Sequence, residues 1–313
     1  MYREQTVGVV VPAYEEEGLV GEVIATMPPL VDRVYVVDDA SPDGTWNEIL
    51  EHADHLAADD ESPHVVPIRH EENRGVGGAI KTGYKRALAD EMDVVVVMGG
   101  DAQMDPGYLP ALLGPIVDGH ADYAKADRLA SPEDRSSMPR LRLFGNYLLS
   151  GITRIASGYW QVSDPQNGYT AISQEALETV DVDEMYEYYG YCNDLLVKLN
   201  VGDMRVADVR VPAVYGEEES SIAYPEYVVR VSSMLFRNFL WRLHRKYATD
   251  RVHPLVVCYV LGGLAMVLAA VLASTDDEGP SPALSSGVGV TLVVAAAELD
   301  RRANRDLGVV VDA

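Results

Sequence analysis

Four short apolar runs, at residues 6–11, 34–37, 65–68 and 94–98, recur through the first hundred residues of this 313-residue chain. They are rich in valine and do not alternate with polar residues, a pattern that suits strands buried on both faces of a sheet. After each of the first three comes a polar turn and then a helical stretch: residues 15–27, a helix that Thr45 can start, and residues 79–89. Strand, turn and helix repeated in this order predict an α/β fold with a mostly parallel sheet. The length allows one large domain with an appendage, or two modest domains.

Sheets of this kind place ligands at the carboxyl ends of their strands. At the end of the fourth run the chain reads Gly99-Gly100-Asp101-Ala102-Gln103-Met104-Asp105-Pro106, so Asp101, Gln103 and Asp105 offer oxygen donors in one turn. Hard divalent cations such as Mg²⁺ or Mn²⁺ take oxygen ligands and keep positions open for phosphate. The second run ends in Asp38-Asp39-Ala40-Ser41-Pro42-Asp43-Gly44-Thr45, again with paired carboxylates. The third leads to Asn73-Arg74-Gly75-Val76-Gly77-Gly78, which lacks the full spacing of a P-loop or a dinucleotide fingerprint. Arg74 is its residue best suited to a phosphate. Each stretch also suits an ordinary polar turn.

Charge removes one class of partner. With 49 acidic against 25 basic residues the net charge is -24, which repels nucleic acid. The two cysteines, Cys192 and Cys258, lie in different settings and imply a reduced compartment without a disulfide framework. No signal peptide precedes the first strand, and the N-terminal part is expected to stay in the cytoplasm.

Taken in order, Pro12-Ala13-Tyr14-Glu15-Glu16, Val37-Asp38-Asp39-Ala40-Ser41-Pro42-Asp43-Gly44-Thr45, Asn73-Arg74-Gly75 and Gly99-Gly100-Asp101-Ala102-Gln103 resemble the inverting family 2 glycosyltransferases with a GT-A fold. Within that family the likeness is to the dolichyl-phosphate mannose and glucose synthases, including the haloarchaeal dolichyl-phosphate hexosyltransferases. It covers roughly residues 5–220. The resemblance implies that Pro12, Tyr14, Glu16, Val37 and Asp39 form the pocket for the base and ribose of a nucleotide sugar, with Arg74, Gly99 and Gly100 beside it. It also implies that Asp101, with Gln103, holds an Mg²⁺ or Mn²⁺ ion bridging the diphosphate. Arg128 stands where the family puts a basic residue near phosphate, and Arg135, Arg140 and Arg142 could cradle a phosphorylated acceptor. Val162-Ser163-Asp164-Pro165-Gln166-Asn167-Gly168-Tyr169 resembles the acceptor-side motif, which makes Asp164 the candidate acceptor-side carboxylate. In Val214-Tyr215-Gly216-Glu217-Glu218-Glu219, Glu219 replaces a basic residue of the relatives. Gly99 is a second departure, because the usual metal motif begins with Asp there.

The last third changes character. Val228, Val231, Leu235, Phe239 and Leu243 share one helical face, with Arg230, Ser233, Arg237 and Arg245 opposite. This face is expected to lie on a membrane surface, with a helix packed on the soluble domain as the competing reading. Residues 255–273 are nineteen in a row without a charge, enough at about 1.5 Å each to cross a hydrocarbon layer of about 30 Å. A weaker second run at 283–297 follows, and the link between them holds no Lys or Arg, whereas both flanks do. By the positive-inside rule this is a hairpin with both ends cytoplasmic. The expected organisation is a GT-A catalytic domain at 1–225, separable from the rest, an amphipathic interface segment at 226–252 and a transmembrane hairpin with a cytoplasmic tail at 253–313.

The resemblance implies transfer of a hexose from a UDP- or GDP-sugar to dolichyl or polyprenyl phosphate on the cytoplasmic face of the cell membrane, in the service of protein N-glycosylation. Two alternatives stay open: another lipid-linked or glycan acceptor, and a non-catalytic regulatory subunit that binds nucleotide sugar. The acidic surplus, with 20 Arg against 5 Lys, resembles proteins of salt-loving archaea.

Overall fold

In the computed structural model, which describes residues 1–57, 62–128, 140–211, 224–249, 251–274 and 281–310, the four valine-rich runs are the strands β1 (Val7–Ala13), β2 (Arg33–Asp38), β3 (His64–Arg69) and β4 (Val94–Val97). Helices α1 (Val20–Ala25), α2 (Thr45–Leu56) and α3 (Val76–Ala89) connect them. Next come α4 (Leu109–Val117), β5 (Tyr123–Asp127), α5 (Arg140–Ser157), β6 (Thr170–Ser173), α6 (Gln174–Thr179), α7 (Tyr191–Val201) and β7 (Val206–Arg210). The chain closes with α8 (Tyr224–Tyr247), α9 (Pro254–Ala273), α10 (Pro282–Ala303) and β8 (Gly308–Val310).

One sheet orders the strands β3-β2-β1-β4-β6-β5-β7-β8. Only β6 runs against its neighbours, β4 and β5; the other pairings are parallel. The absence of polar alternation now has its reason. Val7, Val9 and Val11 of β1 enter one core with Val94 and Val96 of β4, while Val10, Val95 and Val97 enter a second core on the opposite face. Each fully buried valine contributes roughly 1.5–3 kcal/mol, so both faces reward the same residue type. Gly83 lets α3 lie directly on β1, because a side chain there would collide with Val10.

Two expectations need correction. The helix predicted over residues 15–27 begins only at Val20. Glu15 has φ +59°, and the amides of Glu15 and Glu16 donate to the hydroxyls of Ser41 (3.1 Å) and Thr45 (2.9 Å), so this segment is a turn docked on the β2–α2 loop. The strand β7 lies inside the sheet, flanked by β5 and by β8, whose residues follow the hairpin. The apolar face of α8 singled out from spacing turns inward: Val231 and Leu235 pack with Leu149, Ala156 and Val197 of α5 and α7. A different set, Val229, Phe236 and Leu240, is exposed beside Arg230, Arg237 and Arg245. The helix is apolar on two sides, which one stripe cannot express.

Among the described residues two helices, α9 and α10, are long and apolar enough to cross a membrane, and most of their residues are not buried in the protein. They pack closely at Gly262 and Gly289, where an added Cβ would stand 2.9 Å from Val293 and 2.7 Å from Met266. At its root Arg242 of α8 pairs with Asp300 of α10 at 2.8 Å, both side chains fully buried. The hairpin therefore enters through α8 and returns through β8 to the same domain. A division at residue 225 cuts through this packing. A chain ending at Pro225 is expected to aggregate, because it bares the apolar groove between α5 and α7 and the unpaired edge of β7. Size-exclusion chromatography against the full chain in detergent checks this; a monodisperse truncated protein would show the domain to be separable.

Candidate active site

The carboxyl ends of β1, β2 and β4 meet along one edge. Pro12 and Ala13 are paired in register with Val37 and Asp38, and the amides of Asp39 and Gly100 donate to the carbonyls of Ala13 (2.9 Å) and Pro12 (3.1 Å). Gly100 has room for this approach and little more, since a Cβ would lie 3.1 Å from the Pro12 carbonyl. The structure thus brings Pro12, Tyr14, Asp39, Gly99, Gly100 and Asp101 to adjacent loops. Tyr14 is exposed, with its face available for stacking. Glu16 lies in the turn that precedes α1. Val37 is fully buried and forms sheet floor instead of offering a side chain.

Asp39 is nearly enclosed. One of its oxygens lies 2.6 Å from His70 Nδ1 and accepts from the amide of Arg74 (2.9 Å), and the other accepts from the amide of Gly75 (2.8 Å). It pins the glycine-rich loop. The Arg74 guanidinium donates to Glu187 at 3.0 Å, and Lys81 binds the same carboxylate at 2.8 Å. Nothing in the sequence signals that pairing across 113 residues. Asp38 is held by Arg69 at 3.0 Å, and Arg69 also stacks on Trp46. Beside these lies an open cleft of ≈ 640 Å³ lined by Arg69, His70, Glu71, Glu72 and Arg74.

Asp101 accepts from the amide of Gln103 at 3.1 Å, which folds the loop around its carboxylate. Asp105 faces away from that task, capping the next turn through the amide of Gly107 (2.7 Å). Among the described residues no group of three or more His, Cys, Asp or Glu gathers as an all-protein cage. One carboxylate plus a neutral amide oxygen fits an ion that completes its shell with ligand phosphates and water.

The acceptor-side candidates also come together. Arg128, just beyond β5, donates through Nε to Asp164 at 2.9 Å. Burial opposes ionisation of Asp164, but the charges of Arg128 and Lys125 outweigh it and hold the carboxyl below the usual range. Asp164 is therefore an anion at neutral pH and a weak base. Tyr169 joins the two halves, since its hydroxyl donates to the carbonyl of Asp105 at 3.0 Å. Arg135 lies outside the described residues, as does the segment with Glu219, and only the backbone of Arg140 and Arg142 is described, at the start of α5.

Sequence reasoning missed the groups beneath this loop. Lys125 is fully buried in β5 and donates to the carbonyls of Asp164 and, at 3.2 Å, Asn167. A lysine inside the apolar run Tyr123-Ala124-Lys125-Ala126 was the available signal. Asp208 accepts from the amide of Ser163 at 2.6 Å.

The sheet thus carries a carboxylate turn where its strand order reverses, between β1 and β4. Residues 8–181 match the family described as Glycosyl transferase family 2, and the chain belongs to that family of glycosyltransferases. It is similar to the UDP-N-acetylglucosamine–dolichyl-phosphate N-acetylglucosaminyltransferase of Methanococcus voltae, 28% identical over 221 residues covering 68% of this chain and 88% of the relative. The undecaprenyl-phosphate mannosyltransferase of Micrococcus luteus is 32% identical over 187 residues, 59% of this chain and 72% of the relative. In fold it resembles glucosyl-3-phosphoglycerate synthase of Mycobacterium tuberculosis, solved with uridine diphosphate, at TM-score 0.53 and 22% identity over 76% of this chain and 80% of that one.

Proposed function

We propose that this chain is a membrane-anchored transferase that moves a hexose from a UDP- or GDP-sugar to dolichyl or polyprenyl phosphate at the cytoplasmic face, supplying protein N-glycosylation. The observation that carries the reading is the Arg128–Asp164 pair standing one hydrogen-bonded link, Tyr169 to Asp105, from the Asp101 turn. Polyprenyl-phosphate glycosyltransferases among the relatives support the choice of acceptor. The exposed Val229, Phe236 and Leu240 of α8, with Tyr147, Leu148 and Ile155 of α5, support a surface lying on lipid next to the hairpin.

An acceptor phosphate monoester has a second pKa of about 6 and is largely ionised at neutral pH. Its oxygen attacks the anomeric carbon while the bond to the nucleotide diphosphate breaks, so no strong base is needed. Arg128, oriented by Asp164, holds the acceptor phosphate; Tyr14 and Asp39 hold the nucleoside; Asp101 and Gln103 would hold a divalent cation, whose charge would offset that developing on the departing diphosphate. Purified protein with Mn²⁺, labelled UDP- or GDP-sugar and dolichyl phosphate is expected to give an extractable glycolipid. Product only on another acceptor would redirect the reading, and nucleotide binding without turnover would favour the regulatory subunit.

The acidic surface adds a proposal about habitat. Carboxylate repulsion extends over about 30 Å at 0.01 M salt but only about 3 Å at 1 M. The melting temperature is expected to rise by several degrees between those conditions in differential scanning fluorimetry; a flat profile would remove the halophile reading.

A further inference from the structure

Around the acceptor-side loop the hydrogen bonds form a chain that leads away from the cleft. Arg128 is oriented by Asp164, and Asp164 is carried on residues 163–167. That loop is gripped from below by Lys125 through two carbonyls, from the side by Asp208 through the amide of Ser163, and by Asn167, whose side chain donates to the carbonyl of Ala126 at 2.8 Å. Lys125 and Asp208 stand opposite each other in the β5–β7 register. Neither is among the residues that line the cleft at Arg69–Arg74. Both are chemically costly where they are: Lys125 is a fully buried ammonium, and Asp208 Oδ1 is shielded without a hydrogen-bond partner. A loop needing only to be closed would be held more cheaply by apolar residues.

We propose that Lys125 and Asp208 are positioning residues for the acceptor step, a counter-charged pair that fixes residues 163–167 so that Asp164 presents Arg128 to the acceptor phosphate. This rests on the transferase reading above. Among the described residues the charges acting on Asp208 are Lys125 and Asp127 on β5 and Asp164 in the loop; Gly308–Val310 and Leu109–Val117, which pack against β7, bring no titratable residue. Burial pushes the Asp208 carboxyl up to about 6, so its ionised form weakens the fold above that pH and the cost vanishes as pH falls toward the unfolded value. A residue retained for packing alone would not carry such a cost.

The test uses the full chain in detergent with Lys125→Met and Asp208→Asn. Each is expected to lower kcat/KM for polyprenyl phosphate tenfold or more while donor affinity stays within twofold. Amide exchange should speed up at residues 163–169 and not at 73–78. Asp208→Asn should melt at or above wild type at pH 8, and the difference should shrink toward pH 4. Acceptor kcat/KM within threefold of wild type, donor affinity falling in parallel, or unchanged exchange at 163–169 would each overturn the assignment. If wild type transfers to no polyprenyl phosphate, the transferase reading fails, and the exchange measurement still decides whether the pair holds the loop.

Discussion

Asp101→Asn is expected to lose metal-dependent sugar transfer by about a hundredfold or more, the consequence of removing roughly 3 kcal/mol of leaving-group stabilisation. The substitution isolates charge. An asparagine oxygen can still accept from the amide of Gln103, so the loop that Asp101 folds at 3.1 Å keeps its geometry. Gly99→Ala is the informative partner. The family motif usually opens with Asp at this position, and its loss alone need not abolish ion binding. Yet a Cβ on Gly99 would stand 2.9 Å from Asp101 Oδ1, so the carboxylate must move aside. An intermediate loss, about tenfold, follows from a ligand that is displaced and not removed. Mn²⁺ titration alongside steady-state rates checks both. If Asp101→Asn transfers sugar as fast as wild type and with the same Mn²⁺ dependence, the metal site is elsewhere.

What the sequence shows of this site depends on how local each determinant is. Asp101 and Gln103 sit two residues apart at the end of a valine strand, and the turn they form is visible in six letters. Asp164 and Arg128 are 36 residues apart, and only their separate likeness to family motifs brings both forward. Arg74 shows the limit: the carboxylate it pairs with, Glu187, comes from the distant segment between α6 and α7. The sheet was legible for the same reason as its first four strands, since burial on both faces demands an unbroken apolar run. β8 was not, because three residues, Gly308–Val310, carry no pattern of their own. The pairing with β7 gives them their conformation.

Arg242 makes the same point with the largest expected cost in stability. By position it belongs to the basic flank of the hairpin, a charge that would stay in water near headgroups. The structure buries it completely, with Nη2 at 2.8 Å and Nη1 at 3.0 Å from the Asp300 oxygens. Nη1 also lies 3.3 Å from Asn200 Oδ1 on α7, and Nη2 donates to the carbonyl of Ile155 on α5 at 3.0 Å. Gly158, at φ +79°, leaves space that a side chain would fill against the guanidinium. Tyr247 and Asn304 complete the shell of Asp300. Four helices thus meet on one ion pair. Removing one partner leaves the other charge buried and unpaired, a penalty of about 3–5 kcal/mol, so Arg242→Ala is expected to lower the melting temperature on the order of 10 °C. Replacing both charges with apolar residues of similar volume should recover a large part of that loss, because the desolvation cost leaves together with the attraction. Thermal melts of Arg242→Ala, Asp300→Leu and the double variant Arg242→Met/Asp300→Leu in detergent separate these outcomes. If the double variant melts no higher than Arg242→Ala, the hydrogen bonds to Asn200 and Ile155 hold the hairpin root, not the charge pair.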